Sequence, residues 1–78
     1  MTYNQKEALY QALQKASRTM DRQAEALSSG NTEEFKHQVR EYGRYSELFS
    51  RALKITEDDF QKLVMEYREN PSFLDGQS

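Results

Sequence analysis

A chain of 78 residues has room for one small domain, and with 36% hydrophobic and 31% charged residues it can bury only a thin core. The absence of cysteine excludes disulfides, and a single histidine argues against a structural zinc site. A net charge of −2 excludes a general attraction to nucleic acid. Domains this small often gain stability by association, so we expect a homo-oligomer or a complex with another protein.

The first predicted helix covers residues 3–28. Two capping boxes, Thr2-x-x-Gln5 and Asn4-x-x-Glu7, compete to begin it, and Gly30 suits the left-handed position that follows a helix. One narrow apolar stripe recurs at alternating four- and three-residue steps, and its members are Leu9, Leu13, Ala16, Met20 and Leu27. So narrow a stripe resembles that of a coiled coil, and the alanines on this helix let a partner helix approach closely.

The second predicted helix covers residues 32–54 and begins at the capping box Asn31-x-x-Glu34. So short a connection makes the two long helices an antiparallel hairpin. Two apolar stripes lie side by side on this helix, the first formed by Phe35, Val39, Tyr42, Phe49 and Leu53, the second by Tyr45, Leu48, Ala52 and Ile55. So wide an apolar face predicts a neighbour on both flanks. Gly43, on the edge of this face, marks either a close helix crossing or a weak point.

The third predicted helix covers residues 57–69. Thr56-x-x-Asp59 resembles a capping box that begins it, and Asn70-Pro71 ends it. We therefore predict an all-α fold in which an antiparallel helical hairpin carries a short third helix, as a three-helix bundle or as a hairpin dimer. Residues 1–70 form the single predicted domain, and residues 71–78 a flexible tail.

Basic side chains lie along the polar side of the second helix. This basic patch contains Lys36, His37, Arg40, Arg44 and Arg51. A helical hairpin with such a face could bind nucleic-acid phosphates. Interleaved glutamates favour the alternative, a solvent-exposed face with ion pairs between Glu47 and Arg51, Glu33 and His37, and Glu41 and Arg44.

Four apolar or aromatic residues have no place in the predicted hairpin. Tyr3 and Tyr10 fall off the stripe of the first helix, and Phe73 and Leu74 lie in the tail. We expect these four to contact a partner, as exposed aromatic residues do at interfaces. The competing interpretation is that the tail folds back over its own third helix.

The signatures of catalytic and cofactor sites are weak in this sequence. There is no cysteine nucleophile, the single His37 has no serine or acid partner at a recognisable spacing, and the three glycines stand apart. Glu34-x-x-His37 matches half of a carboxylate-bridged di-metal site, but the first helix offers no inward-facing glutamate to complete it. We expect a non-enzymatic protein without cofactor or bound metal.

Two functions remain open at this point. We favour a small regulatory or interaction module that binds a larger protein and self-associates. The alternative is a helical-hairpin nucleic-acid-binding protein that uses the basic patch. The chain has no long apolar run, and its N-terminus lacks the basic-then-apolar order of a signal peptide, so we expect a cytoplasmic protein without membrane contact.

Overall fold

A computed structural model of the protein describes residues 3–72, which form three α-helices. The helices are α1 (Tyr3–Ser29), α2 (Thr32–Leu53) and α3 (Glu57–Glu69). The predicted all-α hairpin with a short third helix is confirmed, and every helix end falls within one residue of its predicted position. Of the predicted tail, Pro71 and Ser72 are exposed, and residues 73–78 lie outside the described residues.

Both turns between helices close with the same pair of backbone hydrogen bonds. After α1, the N–H of Gly30 donates to Leu27 and the N–H of Asn31 donates to Ala26, at 3.2 and 2.9 Å. After α2, the N–H groups of Lys54 and Ile55 repeat this Schellman pattern at 3.2 and 2.9 Å. The left-handed position is filled by glycine in the first turn and by Lys54, at φ 59°, in the second.

The two helices that follow these turns begin with the predicted side-chain caps. The side chain of Asn31 accepts a hydrogen bond from the N–H of Glu34 at 3.1 Å, and Thr56 does the same for Asp59 at 3.0 Å. Each cap satisfies a backbone donor that the first turn of a helix otherwise leaves unpaired. Local sequence thus fixes where α2 and α3 begin.

The core lies where α3 packs against both helices of its own hairpin. Its buried apolar residues come from α1 and α3 and include Leu9, Ala12, Leu13, Ala16, Phe60 and Val64. The ring of Phe60 is fully buried, with its centroid 6.0 Å from that of Phe49 on α2. The second neighbour that the wide apolar face of α2 predicted is therefore α3 of the same chain.

A hydrogen-bonded side chain ties the far end of α3 to α1. The guanidinium of Arg68 donates to the carbonyl and hydroxyl of Ser17 at 2.8 and 2.9 Å and to the carboxylate of Asp21 at 2.9 Å. Arg68 lies near the end of α3, and Asp21 lies in the second half of α1. The two helices therefore run in the same direction. The contacts also show that α3 ends beside Asp21, about 9 Å short of Leu27 at 1.5 Å per residue.

This early end of α3 corrects one prediction for α1. Leu27 was expected within the buried stripe, yet 64% of its surface is exposed. No third helix reaches that level of the hairpin. Ala26, one position round the helix, is buried instead.

Both apolar stripes of α2 were expected to pack against neighbouring helices, but residues of both stripes are exposed instead. Gln38, Ser46 and Ser50 are buried, whereas Leu48 of the second stripe is 60% exposed. On a helix of 3.6 residues per turn, Ser46 and Ser50 lie on the flank opposite Leu48. The buried side of α2 is therefore rotated towards its small side chains, and Leu48 turns outwards. Val39 of the first stripe is also 44% exposed, whereas Ile55 of the second stripe packs against the core.

The two glycines inside the helical region provide a matched test of this backbone. Gly30 has φ 71°, whereas Gly43 is an interior residue of α2, and a Cβ at either site meets nothing within 4 Å in the described part of the chain. Gly30→Ala should lower the free energy of unfolding by about 1 kcal/mol, because a side chain strains the left-handed conformation. Gly43→Ala should raise it by about 1 kcal/mol, because alanine favours a helix.

Urea unfolding followed by circular dichroism measures both changes. A loss of stability in Gly43→Ala would show that a helix crosses α2 closely at this point, against the open space in the structure. If both substitutions changed the free energy of unfolding by the same amount and sign, the left-handed conformation of Gly30 would be contradicted.

Candidate functional site

Two residues of the second stripe, Tyr45 and Leu48, lie in an open depression on the outer surface of α2. Its lining residues, here called the Leu48 face, are Arg44, Tyr45, Glu47, Leu48 and Arg51, and they enclose about 290 Å³. Leu48 is 60% exposed at its centre, and the ring of Tyr45 stacks on Phe49 with centroids 5.7 Å apart. An aromatic ring and an aliphatic side chain thus meet solvent between charged groups.

Two arginines flank this apolar centre, and each is held by a glutamate one turn earlier. Arg44 pairs with Glu41 at 3.1 Å, and Arg51 pairs with Glu47 at 2.9 Å, as the sequence predicted. Both arginine side chains remain 78% exposed. An exposed pair of this kind adds little to stability, but it orients a guanidinium whose other N–H donors stay available.

The wider basic patch is exposed as expected. Lys36, His37, Arg40, Arg44 and Arg51 all lie on the solvent side of α2. The predicted pair between Glu33 and His37 is absent from the ion pairs of residues 3–72. Lys36, His37 and Arg40 thus continue the positive surface away from the Leu48 face, towards the turn before α2.

Tyr10 has a neighbour outside the hairpin. Its half-buried ring packs edge-to-face on Tyr67 of α3, with centroids 6.2 Å apart. α3 therefore covers this flank of α1, and a contact between Tyr10 and a partner stays a prediction. The side chain of Tyr3, and Phe73 and Leu74, lie outside the described residues, so their partner contacts stay predictions.

The residues considered for metal binding do not converge. The carboxylate of Glu34 accepts a hydrogen bond from the side chain of Gln38 at 2.7 Å, and His37 is exposed. No three histidine, aspartate or glutamate side chains in residues 3–72 are arranged to hold a metal ion. Among the helices described, none is long and apolar enough to cross a membrane.

Tyr42 is the side chain of α2 whose ionisation is altered by the fold. Burial raises the pKa of its hydroxyl, and the negative charge of Glu57 raises the pKa further. The hydroxyl is buried and has no hydrogen-bond partner among the described residues. Tyr42 therefore stays neutral and serves packing, while the charges available for binding lie on the outer side of α2.

No family model, curated protein or solved structure matches this chain. The arrangement of its side chains is therefore the basis for any functional assignment.

The spacing of charged residues around Leu48 indicates the Leu48 face, whereas the apolar periodicity of α2 predicts that Leu48 is buried. Leu48 follows Arg44 by four residues and precedes Arg51 by three, so all three share one helix surface. We had assigned Leu48 to a buried stripe because apolar residues recur beside it. Its charged neighbours at helical spacing point instead to the exposed edge of that stripe.

The raised pKa of Tyr42 leads to a test of the core beneath this face. In Tyr42→Phe, the unpaired hydroxyl is removed, so stability at pH 7 should be unchanged or higher by up to about 1 kcal/mol. As pH rises past the ordinary tyrosine pKa of about 10, the unfolded chain loses the Tyr42 proton first. The wild type should then lose stability faster than the variant.

Urea midpoints of both proteins between pH 7 and pH 11 measure this difference. The other tyrosines and the lysines titrate in both proteins, so the difference isolates Tyr42. Parallel pH profiles would contradict the buried position of its hydroxyl.

Proposed function

We propose that this protein is a non-enzymatic, cytoplasmic interaction module that binds a larger protein through the Leu48 face. The observation that carries the proposal is the 60% exposure of Leu48 beside Tyr45 and between two accessible guanidinium groups. Exposed apolar surface rimmed by polar groups is typical of protein-binding sites. Tyrosine and arginine are also the residue types that contribute most at interfaces.

The partner that fits this face is an amphipathic helix with acidic residues. Its apolar side chains would cover Leu48 and the edge of Tyr45, as helices do when they lie in hydrophobic grooves. Its carboxylates would pair with Arg44 and Arg51, because a guanidinium donates two parallel N–H groups to the two oxygens of a carboxylate. Positive charge at the rim would select acidic partners and speed their association.

The basic patch supports a second candidate function, nucleic-acid binding, because all five of its residues are exposed. One observation favours the protein partner. An exposed leucine at the centre of the face adds nothing to a phosphate contact, whereas it is the core of a protein contact.

A designed peptide tests the proposed function directly. The probe is a helical peptide with leucines four residues apart flanked by glutamates, and its control carries lysines in place of the glutamates. Binding of the acidic peptide should perturb the NMR signals of Tyr45 and Leu48, and Leu48→Ala should weaken it about tenfold. Leu27→Ala is the matched control, because Leu27 is exposed to a similar extent, 64%, at the far end of the hairpin.

Equal loss of binding in both alanine variants, or equal binding of both peptides, would rule out recognition at the Leu48 face.

The nucleic-acid alternative predicts a different result. If Arg40 and Arg44 bind phosphates, the protein should be retained on immobilised nucleic acid at low salt and released as salt rises. The double variant Arg40→Glu/Arg44→Glu should then pass through without retention. If the proposed function is right, the wild type should not be retained even at low salt and should elute in the void volume of the column.

A further inference from the structure

A second exposed surface of the chain has the opposite charge to the Leu48 face. It lies on the outer side of α3 and is here called the Met65 face, formed by Asp58, Gln61, Lys62, Met65, Glu66 and Glu69. Met65 is 46% exposed at its centre. The buried residues of α3 are Phe60 and Val64, which point into the core, so the Met65 face points away from the hairpin.

We infer that the Leu48 face of one copy receives the Met65 face of a second copy, so that the protein assembles head to tail. This inference rests on the proposed function, because it names an acidic amphipathic helix that the same face would bind. The helix is α3 of another molecule. Within one chain α3 turns this surface outwards, so the two faces can meet only between copies.

The charges of the two faces alternate in complementary order. Along the Leu48 face, Arg44, Glu47 and Arg51 follow each other as positive, negative and positive. Along the Met65 face, Asp58, Lys62 and Glu66 follow as negative, positive and negative. At 1.5 Å per residue the first series spans about 10.5 Å and the second about 12 Å, so all three pairs can form together.

The apolar residues fit the same register. Leu48 directly follows Glu47, and Met65 directly precedes Glu66, so each apolar side chain stands inside its own series of charges. When the charges pair in either helix direction, Met65 lies within about 6 Å of Leu48 along the helix axis, and exposed apolar surface on both copies is covered. The flexible, unbranched side chain of methionine suits a shallow depression of this kind.

The contact joins two different surfaces, so a single contact leaves one free face on each copy. Two copies close a two-fold dimer when both faces of each copy engage the same partner, and more copies give a ring or an open chain. α3 has 13 residues and is about 20 Å long. One helix of this length covers less area than a standard interface of about 1,600 Å², so the association is weak and requires high protein concentration.

Charge-reversal variants of the full chain test this inference by sedimentation equilibrium. The first variant, Arg44→Glu/Arg51→Glu, has an acidic Leu48 face, and the second, Asp58→Lys/Glu66→Lys, has a basic Met65 face. Glu57 and Asp59 remain in the first turn of α3 in the second variant, so the start of this helix keeps its favourable charges. Circular dichroism verifies that both variants keep their helix content.

The wild type should increase in average mass with concentration at low salt, and this increase should disappear at high salt. Each variant alone should remain a monomer of 9.2 kDa, because its reversed face repels the other face. An equimolar mixture should associate again, since the reversed Leu48 face of one variant meets the reversed Met65 face of the other. Arg18→Glu/Arg22→Glu places the same change of net charge as the first variant on α1 and should associate like the wild type.

A wild type that stays monomeric at all concentrations, or a mixture that fails to associate, overturns head-to-tail assembly. A dimer that stops at two copies and tolerates both reversals overturns it as well. The designed acidic peptide separates the two proposals. If it binds the wild type at Leu48 while the mixture stays monomeric, the self-assembly fails and the proposed function stands; if neither binds, both fail.

Discussion

The burial of Phe60 is the interaction on which the rest of the structure depends. Two long helices alone form a flat hairpin with no residue enclosed on all sides, and 36% hydrophobic residues cannot compensate for that. α3 adds Phe60 and Val64, both fully buried, to a face of α1 that is rich in alanine. Burying one such aromatic side chain contributes about 2–3 kcal/mol, a large share for a domain of this size.

The position of α3 decides which parts of the hairpin stay open. Arg68 fixes the end of α3 beside Ser17 and Asp21, so the distal part of the hairpin has no third helix over it. On α2 the buried side is rotated towards Ser46 and Ser50, small residues that let the core close tightly. The same rotation turns Leu48 outwards between two arginines. The candidate site is thus a consequence of how the core is packed.

The separation of charge between the outer surfaces follows from local requirements of the helices. Acidic residues at the start of α3 satisfy its N-terminal dipole, and they also make the surface of this helix negative. The arginines of α2 stand within a turn of glutamates that stabilise the isolated helix. A chain of small net charge therefore presents one positive and one negative surface, each with an exposed apolar residue at its centre.

Local sequence determined the three helices, their ends and two of their caps. These features depend on residues within one turn of each other, such as Asn31 with Glu34 and Thr56 with Asp59, so no distant contact was needed to predict them. The left-handed Lys54 was not predictable, because nothing local distinguishes this lysine from others. It is held there by the Schellman hydrogen bonds that the packing of α3 requires.

Only the tertiary structure decided which apolar residues are buried. Periodicity marked Leu27 and Leu48 as core, because it treats each helix by itself. The packing of the three helices, set by contacts such as Arg68 with Asp21 that are 47 residues apart, exposed both leucines and gave Tyr10 a neighbour on α3. The sequence alone thus placed the arginines of the candidate site on one helix surface, and the three-dimensional packing exposed the leucine between them.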